Sequence, residues 1–337
     1  MSPESDSGHM RVPYTELHET LQRVLEREGF EPGRADLCAR LFADANRDGV
    51  PSHGLNRFPR FIRTIRNGVV KIHARPIRVS SYGAWERWDG QLGPGNLNAH
   101  ECMARALVLA REYGLGCVAL ANTNHWMRGG AYGWQAADAG AIGICWTNTM
   151  ANLPPWPLTE PRIGNNPLVI AVPRAGGHVV LDMAMSQFSM GALESFRLRG
   201  ERLPVPGGYD TQGELTHDPA AIEASMRPLP IGFWKGSGLA IVLDVIAATL
   251  AAGRATHEIP TAPDRESGLS QVFVAIALPS PSDASHAADQ IVDSLHAPAA
   301  TGEYARYPGE RTLETRAQNL EQGVPVEPSI WDEVRSY

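Results

Sequence analysis

"REYGLGCVALANTNHWMRGGAYGWQAADAG", residues 111–140, decides between two folds. Gly114, Gly116 and Ala119 spell G-x-G-x-x-G/A, the pattern that opens a dinucleotide-binding βαβ unit. That unit needs a strand before the glycines and a helix after them. Here the order is reversed: residues 97–114 read as a helix and 117–121 as a strand. The match is therefore treated as chance, and no G-x-x-x-x-G-K-[ST] occurs elsewhere. Further along, Gly129, Gly130 and Gly133 lead into a helix over 131–139. They would either bring backbone N–H groups close to an anion or supply positive φ angles to a loop. Asn124 and His125 stand at the exit of the preceding strand, where polar residues often line a site.

The flanking sequence does not beat as βαβ. Toward the N-terminus, leucine spacing predicts helices over 15–28, with Thr15 as N-cap, and over 34–47. A third helix over 57–67 holds Pro59 in its first turn. Runs of β-branched and apolar residues predict strands at 76–81, 86–90, 117–121, 142–147, 168–172, 178–183 and 271–278. Helices at 131–139, 237–252 and 283–296 fall between only some of them. This mixture predicts an α+β fold with a mixed sheet rather than a doubly wound parallel one. Residues 10–75 form the expected helical N-terminal domain and 76–297 the mixed domain that holds the site. The segment 298–337 is expected to pack back on the N-terminal domain. The Pro/Gly-rich stretch 201–230 is expected to be a long ordered loop over a site.

Composition narrows the function. The chain has 337 residues, 43% of them hydrophobic and 20% charged, with a net charge of −7. No Lys/Arg-rich run argues for nucleic acid. Cys38, Cys102, Cys117 and Cys145 are scattered, which argues against a zinc site or a disulfide framework and for a reducing, cytoplasmic setting. Residues 1–9 lack an apolar stretch of the kind that marks a signal peptide. The apolar run 236–253 carries Asp244 in mid-span and is expected to be a tightly packed core helix, not a membrane span.

Chemistry concentrates at strand ends and at one reversal. "DGVPSHGLNRFPRF" (48–61) places Ser52, His53 and Arg57 just after a turn. If the segment were one helical turn, His53 and Arg57 would share a face. "RIGNNPL" (162–168) contains Asn166 before a proline, and "DMAMS" (182–186) closes a strand with Asp182, an acid that often serves only as a helix cap. "FWKGSG" (233–238) puts Trp234 and Lys235 before a glycine-rich helix start. "YPGE" (307–310) reads as a turn.

Together these stretches, with "NHWMRGGAYGWQAADAGAIGICWTN" (124–148), resemble the malate/L-lactate/ureidoglycolate dehydrogenase family, from about Met10 to the C-terminus. The resemblance implies a nicotinamide-dependent oxidoreductase without a Rossmann fold, a non-Rossmann cofactor cleft and a homodimer. It also implies reduction of a small 2-oxo acid, or of a cyclic imino acid, with NADH or NADPH as the hydride source and no metal. By position it makes His53 the acid/base, with Asp182 and His125 as catalytic partners. Asp182 would orient a histidine and tune its basicity. Ser52, Arg57 and Asn166 fall to the substrate, Arg57 as a bidentate clamp on its carboxylate. His178, Val179, Val180, Leu181, Asp182, Met183 and Ala184 fall to the cofactor, as do Trp234, Lys235, Gly309, Glu310 and Arg311. Within that pattern Glu310 and Arg311 replace a His-Glu pair, and the 174–178 turn is one residue longer. A rival reading is a cofactor-free lyase or hydrolase built on His53 and His125, but no G-x-S-x-G nucleophile supports hydrolysis. A binding module would need every strand-end polar residue to be a cap or a turn.

Overall fold

The computed structural model describes residues 10–337; the reading of residues 1–9 falls outside them. Strand β1 (Met10–Val12) leads into helices α1 (Tyr14–Arg27), α2 (Pro32–Arg47) and α3 (Phe58–Arg66). There follow β2 (Ile77–Tyr82), β3 (Trp85–Asp89), α4 (Gly95–Tyr113), β4 (Leu115–Thr123), α5 (Gly130–Asp138), β5 (Ala141–Thr147), β6 (Leu168–Val172) and β7 (Val179–Met183). The chain continues through α6 (Met190–Leu198), β8 (Gly208–Tyr209), β9 (Leu215–Thr216), α7 (Pro219–Ser225) and α8 (Trp234–Ala251). It ends with β10 (Leu269–Ala277), α9 (Pro281–His296), α10 (Glu310–Gln322), β11 (Val324–Val326) and α11 (Pro328–Ser336).

Seven strands form one mixed sheet in the order β2-β3-β4-β10-β5-β6-β7. Only β3 and β4 run parallel; the other neighbours are antiparallel. The glycines of the rejected dinucleotide pattern have structural duties. Gly114 (φ 82°) closes α4 in the left-handed region, and a Cβ on Gly116 would fall 2.1 Å from the Ala106 carbonyl. They end a helix and let it press on its strand.

One face of the sheet buries α4 and α5, with Met103, Trp126, Tyr132 and Phe273 among the packed side chains. The other face takes α8 through Ala240, Leu243, Ala247 and Ala251. A second core joins α1–α3 to the C-terminus: Leu21, Phe42, Phe58 and Trp331 are packed together, and β1 pairs with β11. Each fully buried large apolar side chain contributes about 1.5–3 kcal/mol, so this clasp is not incidental.

Three expectations need correction. Pro13, not Thr15, caps α1, with no side-chain hydrogen bond. The 201–230 stretch is not a plain loop: it carries β8, β9 and α7, and Leu203 and Ile222 join Leu193 of α6 in a small core of their own. And α8 is not packed all round. Its length and composition suit a membrane span, and only 33% of it is buried. Val242 and Val245 are more than half exposed.

Candidate active site

The turn at 51–57 is not one helix. Two short 3-10 turns, Pro51–His53 and Leu55–Arg57, meet at Gly54, whose φ and ψ are −107° and −125°. Gly54 is required by contact: a Cβ there would lie 1.9 Å from Asn46 Oδ1, which instead accepts the Leu55 N–H. The break corrects the expectation that His53 and Arg57 share a helical face. They still meet at one place, because β4 ends opposite them and delivers His125. The His53 and His125 rings lie 5.9 Å apart and 22° from parallel. A cavity beside them is lined by Arg57, Arg60, Asn124, His125, Met127 and Glu266, among others.

The electrostatics are unusual for a surface turn. The Arg57 guanidinium donates no hydrogen bond among the described residues, and its nearest counter-charge, Glu266, stands 3.8 Å away. Burial first, then neighbouring Arg60, pull its pKa down to about 10. His53 is lowered to about 4, chiefly by burial and then by Arg57 and Arg128. His125 is pushed well below its ordinary value by burial, Arg57, His53 and Arg60. Both rings are therefore neutral near pH 7. His53 Nδ1 lies 3.1 Å from the Ser52 hydroxyl, on the open side of the turn. His125 Nδ1 accepts the Met127 N–H at 3.0 Å.

Asp182 is held otherwise than expected. Its Oδ2 accepts the Gly130 N–H at 2.8 Å and sits 4.0 Å from the Arg128 guanidinium; it bonds to neither histidine. Burial raises its pKa, against Arg128 and the Gly130 N–H. So the anion at the start of α5 is the chain's own carboxylate. Gly129 has an ordinary φ of −60°, and a Cβ on Gly130 would strike Asp182 at 2.6 Å, so these glycines serve close approach rather than a positive φ. Asn166 is also placed differently. It is fully buried, its Oδ1 accepts the Thr149 N–H and its Nδ2 donates to the Ala240 carbonyl, which ties β6 to α8.

Four site residues carried no signal strong enough to be singled out from sequence. Arg60 lies one turn beyond Arg57 and pairs with Asp264 at 3.3 Å. Glu266 reaches the cavity from a distant loop with no motif around it. Asp48 was visible only as a turn residue. It receives Arg47, Arg128 and a two-pronged Arg316, and these partners hold its carboxyl well below the usual range despite burial. Arg128 sits between Asp48 and Asp182, and its Nε is buried without a hydrogen-bond partner.

The residues assigned to a cofactor line a second zone. Strand β7 is the sheet's edge. Val180 donates its N–H outward to Pro308, so the pleat turns the backbone groups of Asp182 to the same open edge. Gly309 (φ 98°) presses on this strand; a Cβ would lie 3.1 Å from the His178 carbonyl and the Val180 nitrogen. His178 is fixed by the Arg174 N–H on Nδ1 and by Asp138 on Nε2 at 3.0 Å. Glu310 faces His296 at 2.9 Å, while Arg311 has no partner among the described residues. Past β7, Met185 accepts the Ile231 N–H, which brings the start of α8 alongside. There Trp234 is 67% exposed and Lys235 is unpartnered among the described residues. An open strand edge, a glycine cradle and two free cations suit an extended anionic cofactor.

Comparison with known proteins agrees with this architecture. A family model described as malate/L-lactate dehydrogenase matches residues 12–335. A 2,3-diketo-L-gulonate reductase of Citrobacter koseri is 46% identical over 342 residues, covering 97% of this chain and all of that protein. The malate dehydrogenase of Pyrococcus horikoshii superposes with a TM-score of 0.89 at 25% identity, covering 98% of this chain and 95% of that one. The Δ1-piperideine-2-carboxylate reductase of Pseudomonas syringae gives 0.85 at 26% identity, covering 97% and 99%. The chain belongs to the malate/L-lactate dehydrogenase family and is an oxidoreductase.

Proposed function

We propose that this protein reduces the 2-oxo group of 2,3-diketo-L-gulonate to give 3-keto-L-gulonate, with NADH or NADPH as reductant. The observation that carries the reading is Arg57: a half-buried guanidinium with no hydrogen bond and only a distant counter-charge, beside two neutral imidazoles. Such a cation favours an anionic ligand, and a planar carboxylate suits its fork. The names of relatives at 45–46% identity supply the particular acid.

Arg57 holds the substrate carboxylate, with Arg60 behind it. That anion offsets the Arg57 charge, which with Arg128 adds to burial in depressing His53, so binding raises the His53 pKa and lets it take up a proton from the solvent side through Ser52. A nicotinamide bound along His178–Ala184, Gly309–Arg311 and Trp234–Lys235 would supply the hydride. His53 then delivers its proton to the C2 oxygen as charge builds there. Asp182 and Arg128 hold the α5 start against β7, which keeps the two zones in register. The cyclic imino acid reading rests on the likeness to the Pseudomonas syringae reductase.

A homodimer accounts for the uncovered side of α8, where Leu239, Ile241, Val242, Val245 and Ile246 are all at least 36% exposed. Four free cysteines, three of them buried, suit a reducing cytoplasm. The test is direct: tryptophan fluorescence quenching by NADH and NADPH, then loss of reduced-nicotinamide absorbance on adding 2,3-diketo-L-gulonate, simple 2-oxo acids or cyclic imino acids. No oxidation with any of them would reject the proposal.

A further inference from the structure

His125 and His53 are stacked but not equivalent. His125 Nδ1 accepts the Met127 N–H at 3.0 Å, so its proton resides on Nε2. The backbone is bent to make this contact: buried Met127 adopts φ 63°, a left-handed conformation that a non-glycine residue rarely takes. With Nδ1 occupied, and with burial first and then Arg57, His53 and Arg60 pushing its pKa well below the ordinary value, the ring stays neutral near pH 7. A neutral imidazole cannot surrender its only proton to an alkoxide near pH 7. His125 can therefore donate a hydrogen bond but cannot transfer a proton, whereas His53, open through Ser52, can be recharged. Nε2 of His125 has no partner among the described residues, and the residue lines the cavity that Arg57 and Arg60 share.

A simple 2-oxo acid presents two features to this cavity, a carboxylate and one carbonyl oxygen. In the proposed reading Arg57, from the cavity's lining, takes the first, and His53, which stacks on His125 beside that lining, takes the second. The His125 ring, 22° from parallel to His53 and 5.9 Å from it, sets a second donor beside the first. We infer that His125 is the residue that selects a 2,3-dioxo acid over a 2-oxo acid, by donating its Nε2–H to the oxygen on C3. The inference rests on the proposed reading of this cleft. A ligand lacking that oxygen leaves the donor desolvated and unpaired, the circumstance in which hydrogen-bonding sites discriminate most strongly.

The experiment compares kcat/KM for 2,3-diketo-L-gulonate with that for its 3-deoxy-2-oxo analogue, in wild type, His125→Phe and His125→Gln. Phenylalanine keeps the stacked ring without the donor; glutamine restores an N–H. Wild type should prefer the 2,3-dioxo acid. His125→Phe should cut the preference for the 2,3-dioxo acid over the 3-deoxy acid about 100-fold, by loss on the first and relief on the second, and His125→Gln should recover about tenfold of that preference. Equal losses on both acids, no loss on either, or a wild type indifferent to the C3 oxygen would overturn the inference. A wild type inactive on every 2-oxo acid would instead reject the function proposed above. Nitrogen-15 histidine spectra of the wild-type protein give an activity-free readout. The Nε2–H form of His125 should persist from mildly acidic to alkaline pH, and an imidazolium or Nδ1–H signal would contradict the role.

Discussion

Arg57 is a cation held out of bulk water with no acceptor in hydrogen-bonding reach, and its pKa of about 10 records that cost. Replacing it with methionine keeps the stem's packing and removes the charge. The KM for a 2-oxo acid should rise roughly 30- to 100-fold, about the 2–3 kcal/mol of a charge-assisted bidentate contact, while nicotinamide binding changes little. The same change removes one of the two guanidiniums that add to burial in depressing His53, so the inflection of kcat/KM should move up from about 4 while staying below the ordinary 6.5. An unchanged KM in steady-state assays would make Arg57 structural. Legibility at this scale followed locality. His53 and Arg57 could be read because they fall in one short motif. Glu266 and Arg316 could not, because they reach Arg57 and Asp48 across more than 200 residues of chain. Asp182 and Asn166 were legible as polar strand-end residues, but not their partners, which only packing against α5 and α8 defines.

Helix α8 begins where β7 ends, and that adjacency places Lys235 beside the strand edge. Its N-terminus favours anions, and Lys235 adds a charge that no carboxylate among the described residues claims. Lys235→Ala should weaken NADH or NADPH binding about tenfold, by loss of one charged hydrogen bond, with a smaller deficit at high salt. Fluorescence titration decides it; equal affinities for wild type and variant would remove α8 from the cofactor zone. Most elements of the sheet domain followed from β-branched runs bounded by Gly and Pro. The apolar run of α8 was legible as a helix, but hydropathy cannot say which side a sheet covers. The helices missed, α6, α7, α10 and α11, are short or strongly polar, Pro/Gly-rich flanks mask α7, and the strands missed, β1, β8, β9 and β11, have only two or three residues each.

Across the whole molecule, two cores share one hub. Asp48 ties the end of α2, the loop before α5 and α10 together beside the His53 turn, so the C-terminal clasp and the cleft share a contact. The clasp itself pairs β1 with β11, over 300 residues apart, a contact no local pattern announces. The charge pattern also fixes a pH dependence. His53 falls from 6.5 to about 4 on folding, and His125 and His100 fall too, so the unfolded chain binds their protons first as pH drops. Stability should therefore decline as pH falls from 6.5 toward 4 and recover as it rises. Asp182 and Glu101, raised by burial, oppose this in part. Melting curves across that window should show Tm climbing with pH, more gently in His53→Gln; a flat profile would mean the histidines are solvated.

The proposed turnover requires His53 as the proton donor. The deciding measurement is turnover of His53→Gln beside its affinity for reduced nicotinamide, with the favoured 2-oxo acid in excess. Glutamine fills the same space and can hydrogen-bond, but it cannot give up a proton. Cofactor affinity should stay within about twofold of wild type while kcat falls about 100-fold or more, the usual contribution of a positioned acid. Near-wild-type kcat in the variant, with cofactor bound normally, would contradict the assignment and require another proton source in the cleft.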